Sequence, residues 1–142
     1  MAKKMDKHIY SAKLQRVVDG DTCDALIDLG FDTWVKKRIR FYGVDTWESR
    51  TRNKEEKVRG LISKEYLKNI CESSSIRLKS KDRGKFGRIL GVLYKDDETI
   101  SINQKMCEEG FAVPYFGGNK DELEALHMIN KQKLINQGLL EG

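Results

Sequence analysis

The chain has one proline, Pro114, and two histidines, His8 and His127, in 142 residues. There is no His-x-x-x-His pair, no glycine-rich P-loop and no Gly-x-Ser-x-Gly elbow, so zinc-hydrolase, P-loop and serine-hydrolase chemistry are poorly supported. His127 falls inside the last helical segment, where a structural or solvated role is expected. The three cysteines, Cys23, Cys71 and Cys107, are far apart. They form no Cys-x-x-Cys zinc or redox pair, and their odd number does not suit a disulfide scaffold, which indicates a reducing compartment. No stretch approaches the roughly 18 apolar residues of a membrane span. Residues 1–10 carry charge without the apolar core of a secretory signal. A removed leader aside, these absences place the protein in the cytoplasm of its producing or host cell, away from membranes.

What is abundant is charge. Lys and Arg number 27 against 22 Asp and Glu, a net charge of +5. That balance favours a polyanionic partner such as DNA or RNA, with plain solubility as the alternative. Apolar residues make up 39% of the chain, enough for a globular fold. The length suits one domain over residues 1–142, with its core about 9–140, expected as a monomer.

Periodicity divides the chain. Ala12, Leu14, Arg16 and Val18 share one face of a first strand that ends at Asp19-Gly20-Asp21. Cys23, Ala25, Ile27 and Leu29 mark a second, broken by Gly30. A third runs over about 33–44, with Val35, Ile39 and Phe41 alternating with Lys36, Arg38, Arg40 and Tyr42. Val58, Leu61, Ile62, Tyr66 and Ile70 then fall at helical spacing within 52–71 and predict one apolar face. Beyond the helix, Arg77, Lys79, Lys81, Arg83 and Lys85 occupy alternate positions opposite Ile76 and Leu78. Such a stripe fits either a nucleic-acid track or a lysine-protected edge strand. A fifth strand covers about 88–94. Ser101 with Gln104, and Asn119 with Glu122, form capping boxes for two further helices, ended by Gly110 and Gly138. Three strands, a helix, two strands and more helices predict an α+β fold, a five-stranded OB-fold β-barrel with about three helices.

The chemistry-bearing residues are carboxylates and arginines at strand ends. Asp19-Gly20-Asp21-Thr22 is a tight turn, and Asp-Gly is by itself a common turn pair. Arg40-Phe41-Tyr42-Gly43-Val44-Asp45-Thr46-Trp47-Glu48 ends a strand in two carboxylates. Lys85-Phe86-Gly87-Arg88 is a basic turn, and Gly110-Phe111-Ala112 precedes the last helix.

Together these segments resemble the staphylococcal nuclease (thermonuclease) family, over roughly residues 9–140. That family shows the Asp-Gly-Asp-Thr turn, an arginine five residues before Asp-Thr-x-Glu, a later Lys-aromatic-Gly-Arg and a glycine-aromatic or glycine-leucine followed by alanine. The resemblance implies a calcium-dependent nuclease acting on DNA, RNA or both and leaving 3′-phosphate ends, with another divalent metal as the alternative. It implies Asp21, Asp45 and the Thr46 carbonyl as cation ligands, with Asp19 an outer support of that turn. It implies that Glu48 orients or deprotonates the attacking water. Arg40 and Arg88 would hold the scissile phosphate, while Lys85, Phe86 and Tyr115 would contact neighbouring nucleotides.

The residue types suit that task. Two carboxylates and a carbonyl form a hard-oxygen site appropriate to calcium. Guanidinium groups match phosphate oxygens with paired donors that lysine cannot reproduce. Two departures stand out. Trp47 replaces the family's usual proline and has room either to stack on a base or to pack under its loop. Phe86 replaces a tyrosine, keeping the ring and losing the hydroxyl. The competing functional class is a non-catalytic nucleic-acid-binding module on the same barrel, which would not need Asp21, Arg40, Asp45, Glu48 and Arg88 together.

Overall fold

The computed structural model describes residues 9–71, 75–83, 88–95, 98–115 and 119–140, without the side chains of Asp82 and Arg83. The strands β1 (Ile9–Asp19), β2 (Thr22–Asp28), β3 (Trp34–Phe41), β5 (Ile76–Arg83) and β6 (Ile89–Lys95) close into a barrel in the order β1-β2-β3-β6-β5. Around it lie helices α1 (Lys54–Cys71), α2 (Ile102–Glu108) and α3 (Lys120–Asn136). A separate small sheet pairs β4 (Val44–Asp45) with β7 (Val113–Pro114). The expected α+β barrel with three helices is what the chain forms. Among the described residues, no helix is long and apolar enough to cross a membrane.

Alternation fills the barrel. Cys23, Ala25 and Ile27 from β2, Ile39 and Phe41 from β3, and Ile76 and Leu78 from β5 are all buried. The pairing is antiparallel except between β3 and β6, where Ile39 faces Ile89 and Arg40 faces Leu90 in parallel. This brings Arg88, immediately before β6, alongside the end of β3 that carries the basic residues.

The first strand departs from simple alternation. Its register with β2 shifts between Leu14 and Arg16, where one extra residue bulges. Ala12 therefore faces inward, but Arg16 is exposed and Val17 takes the buried position. The third predicted strand is two elements. Gly43, at φ 75°, turns the chain after Phe41 and starts β4, which leaves the barrel for β7. In β5 a similar shift between Ser80 and Asp82 ends the regular stripe after Arg77 and Lys79. The side chain of Arg83 and all of Lys85 and Phe86 lie outside the described residues.

Helix α1 meets its expected face in part: Ile62, Tyr66 and Ile70 pack against the core. Val58 and Leu61 are exposed, whereas Gly60, Ser63, Leu67 and Cys71 are buried. The closest approach uses small residues, so the buried face does not register as apolar. Helix ends follow the sequence signals: Ser101 accepts from the Gln104 amide, and Gly110 and Gly138 adopt positive φ after α2 and α3. The reciprocal arm of the first capping box is absent, because the Gln104 side chain donates to Glu108 instead. Asn119 caps Asp121 rather than Glu122.

Candidate active site

The site is assembled where the β1–β2 turn, the β4 segment and α1 meet without intervening side chains. A Cβ on Gly20 would lie 2.8 Å from Ser63 Cβ and 3.1 Å from Thr46 Cγ2. A Cβ on Gly60 would lie 2.2 Å from the Glu48 carbonyl oxygen. Glycine at both positions lets α1 press against the 46–49 segment and the turn. Asp19 tightens the junction by accepting hydrogen bonds from the Ser49 amide at 3.4 Å and from the Ser49 hydroxyl.

Asp21 is buried in this junction. Its carboxylate accepts from Thr22 Oγ1 at 2.9 Å and from the Thr46 amide at 3.1 Å. Arg40 bridges the two acidic segments: Nη1 is 3.1 Å from Asp21 Oδ2 and Nη2 is 3.4 Å from Asp45 Oδ1. The same guanidinium donates to the carbonyls of Val44 at 3.0 Å and Phe41 at 3.3 Å, which fixes its plane. The other Asp45 oxygen, Oδ2, is 2.8 Å from His127 Nε2 on α3.

Burial pushes the Asp21 carboxyl above its ordinary range, against the opposing pull of Arg40, Thr22 and Thr46, and the nearby Asp45 carboxylate raises it further. One guanidinium thus serves two carboxylates, Asp21 and Asp45. The Thr46 hydroxyl beside them is buried with no partner among the described residues. Converging hard oxygens fit a divalent cation. Asp21, Asp45 and the Thr46 carbonyl are the groups that would hold it. Among the described residues no three His, Cys, Asp or Glu side chains converge as a metal cluster, so a cation here would need backbone oxygen and water to complete its shell. Glu48 is exposed and enters no hydrogen bond or ion pair among the described residues.

Next to the carboxylates a cleft of about 560 Å³ is lined by Lys36, Lys37, Arg38, Arg50 and Arg88, with Asp19 and Thr22 on its wall. Arg88 therefore shares a concavity with the Asp19–Thr22 turn. Within it Arg38 is committed to Asp24, at 2.8 and 3.3 Å.

Residues 38–139 match the family described as staphylococcal nuclease homologue. The chain belongs to the staphylococcal nuclease family. It is 30% identical over 116 residues to the thermonuclease of Staphylococcus intermedius, covering 80% of this chain and 64% of that protein. It is 29% identical over 112 residues to endonuclease YncB of Bacillus subtilis strain 168, covering 77% and 50%. It is 28% identical over 109 residues to the SPbeta prophage-derived endonuclease YokF of the same strain, covering 75% and 34%. The chain thus spans about half the length of YncB and a third of that of YokF. Nuclease family membership makes nucleic acid the substrate class to consider, and divalent-metal use is what the family suggests.

This family member packs Trp47 under its loop. The side chain is buried, its ring 5.1 Å from that of His127 and 5.4 Å from the Arg59 guanidinium. The structure brings together Asp21, Arg40, Asp45 and Thr46, with Arg88 in the adjoining cleft. Tyr115 lies close by, since its amide donates to the Gly43 carbonyl at 2.8 Å. The β5 cations are engaged locally: Arg77 donates to the Glu98 carbonyl at 2.7 Å and lies over Tyr94, and Lys81 lies over Tyr42. His127, for which the sequence predicts a structural or solvated role, is buried against Asp45. Its one signal was position, seven residues before the buried Leu134 and hence on the inner face of α3.

Proposed function

We propose that this chain hydrolyses phosphodiester bonds of DNA, RNA or both, with calcium as the divalent cation. The reading rests on one observation above the others: Arg40 bridges Asp21 and Asp45, and Asp19 and Thr22 on either side of Asp21 line the cleft that holds Arg88. When bound, the cation supplies Lewis acidity and charge opposite the phosphate. Asp21, Asp45 and the Thr46 carbonyl would hold it. Arg40, its plane fixed by two carbonyls, and Arg88 donate hydrogen bonds to the phosphate oxygens and stabilise the charge that develops there.

Glu48 is accessible to solvent, orients the attacking water and takes its proton. The water oxygen forms a bond to phosphorus while the bond to the 5′ oxygen breaks, and the departing oxygen takes a proton from solvent, leaving a 3′-phosphate and a 5′-hydroxyl. The strand on either side is held by the basic cleft, with Tyr115, Lys85 and Phe86 touching neighbouring nucleotides and the Arg77–Arg83 stripe as a secondary contact.

The test is degradation of plasmid and single-stranded substrates in calcium, magnesium or EDTA. Cleavage should need a cation, calcium serving best, and Glu48→Gln should lower it by about 10²- to 10⁴-fold, the usual contribution of a general base. Tight binding without cleavage in every cation would make the chain a binding module instead.

A further inference from the structure

Asp45 reaches the site from a strand of two residues. A carboxylate turns readily about its last torsion, which has broad minima. A cation ligand on so short an element needs a tether. Arg40 supplies little, because its 3.4 Å approach to Oδ1 is long for a hydrogen bond. The 2.8 Å contact from His127 Nε2 to Oδ2 is the short one, and it comes from α3, 82 positions further along the chain.

The imidazole is itself held. His127 is 5% exposed, and its ring lies at 39° to that of Trp47. Its Nδ1 is buried with no partner among the described residues. A proton on Nδ1 would be an orphaned buried donor, whereas a bare Nδ1 leaves only an unused lone pair. The tautomer that fits carries its proton on Nε2, where the Asp45 carboxylate accepts it. Trp47, at the position where proline would stiffen the loop, serves as the wall that fixes the ring.

We propose that His127 is a positioning residue for the cation site: its Nε2–H pins Asp45 Oδ2 and so presents Oδ1, on the side of Arg40 and Asp21, to the cation. This inference builds on the cation-dependent reading above. Outer contacts of this kind are typically worth 10- to 100-fold in metal affinity.

The test is calcium titration by calorimetry of the intact protein and of His127→Phe and His127→Gln, with thermal unfolding in EDTA measured in parallel. Phenylalanine fills the space without a donor, and glutamine keeps an N–H donor. His127→Phe should bind calcium 10- to 100-fold more weakly, and His127→Gln should recover much of that loss. KM for nucleic acid at saturating calcium should stay unchanged. Equal calcium affinity in His127→Phe and the parent would overturn the inference while leaving the cation-dependent reading intact. A parent that binds no divalent cation would sink that reading and the inference with it. Long-range 1H–15N spectra of the metal-free parent, which need no variant to fold, should show Nε2 protonated and Nδ1 bare. The opposite tautomer would remove the donor on which the proposal depends.

Discussion

At the scale of single residues, the site places a carboxylate where folding alone would not keep it. The folded-state pKa of Asp21 is raised above 3.8, chiefly by burial. A raised carboxyl favours folding only while protonated. Its contribution is therefore complete below pH 3.8 and is lost as pH rises through the raised value. Asp21→Asn should accordingly unfold at a temperature equal to or higher than the parent at pH 7 in EDTA, and lose cation-dependent cleavage. Parallel melts from pH 3.5 to 7 should show the gap between the two proteins widening with pH, and a variant that melts well below the parent at pH 7 would contradict this. Arg40 makes the complementary case. Lysine keeps the charge but cannot reach two carboxylates and two carbonyls from one plane. Arg40→Lys should fold and lose about 3–4 kcal/mol of transition-state stabilisation, roughly a hundredfold or more in kcat. Near-normal turnover would remove Arg40 from the reaction.

At the scale of elements, the decisive contact is between α1 and the 46–49 segment. Replacing Gly60 with alanine would gain about 1 kcal/mol in helix propensity. Against that, the new methyl would meet backbone: Glu48 O at 2.2 Å, Glu48 C at 2.4 Å and Ser49 N at 2.6 Å. Backbone cannot swing aside as a side chain does, and overpacking of this kind typically costs about 1–3 kcal/mol. Gly60→Ala should lower the urea midpoint and also slow cleavage, since the segment that moves carries Glu48. A midpoint at or above the parent's would show that the helix and loop have slack. The same contact explains the limits of reading this chain by pattern. The barrel strands and the capped helices were legible because period-two alternation and terminal Ser, Asn and Gly act locally. The face of α1 was legible only in part: Ile62, Tyr66 and Ile70 meet the core, but Gly60 and Ser63 are buried for closeness rather than apolarity. Arg16 and Val17 misled through the bulge, which no single-strand pattern encodes. Of the candidate site, the carboxylates and arginines stood out because each sits in a short contiguous motif. His127 did not, since its link to Asp45 exists only once α3 is folded against β4.

At the scale of the whole molecule, two basic surfaces are candidates to carry the nucleic-acid strand proposed above as substrate. On β5, Arg77 gives one donor to the Glu98 carbonyl and its face to Tyr94, and Lys81 covers Tyr42. On β3 and beside β6, Lys36, Lys37 and Arg50 are exposed and line one cleft with Arg88. Alternate residues of a strand are about 6.6 Å apart. Lys36, Arg38 and Arg40 lie at that spacing along β3 towards Asp21 and Asp45, but Arg38 is paired with Asp24 and Arg40 with the two carboxylates, which leaves the cleft lysines Lys36 and Lys37 to meet phosphate. Each phosphate contact on single-stranded nucleic acid contributes about 0.7 to the slope of log K against log salt. Lys36→Ala with Lys37→Ala should therefore lower affinity for a single-stranded oligonucleotide, measured in EDTA to prevent cleavage, and flatten that slope by up to about 1.4 if both contact phosphate. Arg77→Ala with Lys79→Ala should change it less. The reverse ranking would put the strand on β5, because a surface that releases no counterions on binding cannot be the path the backbone follows.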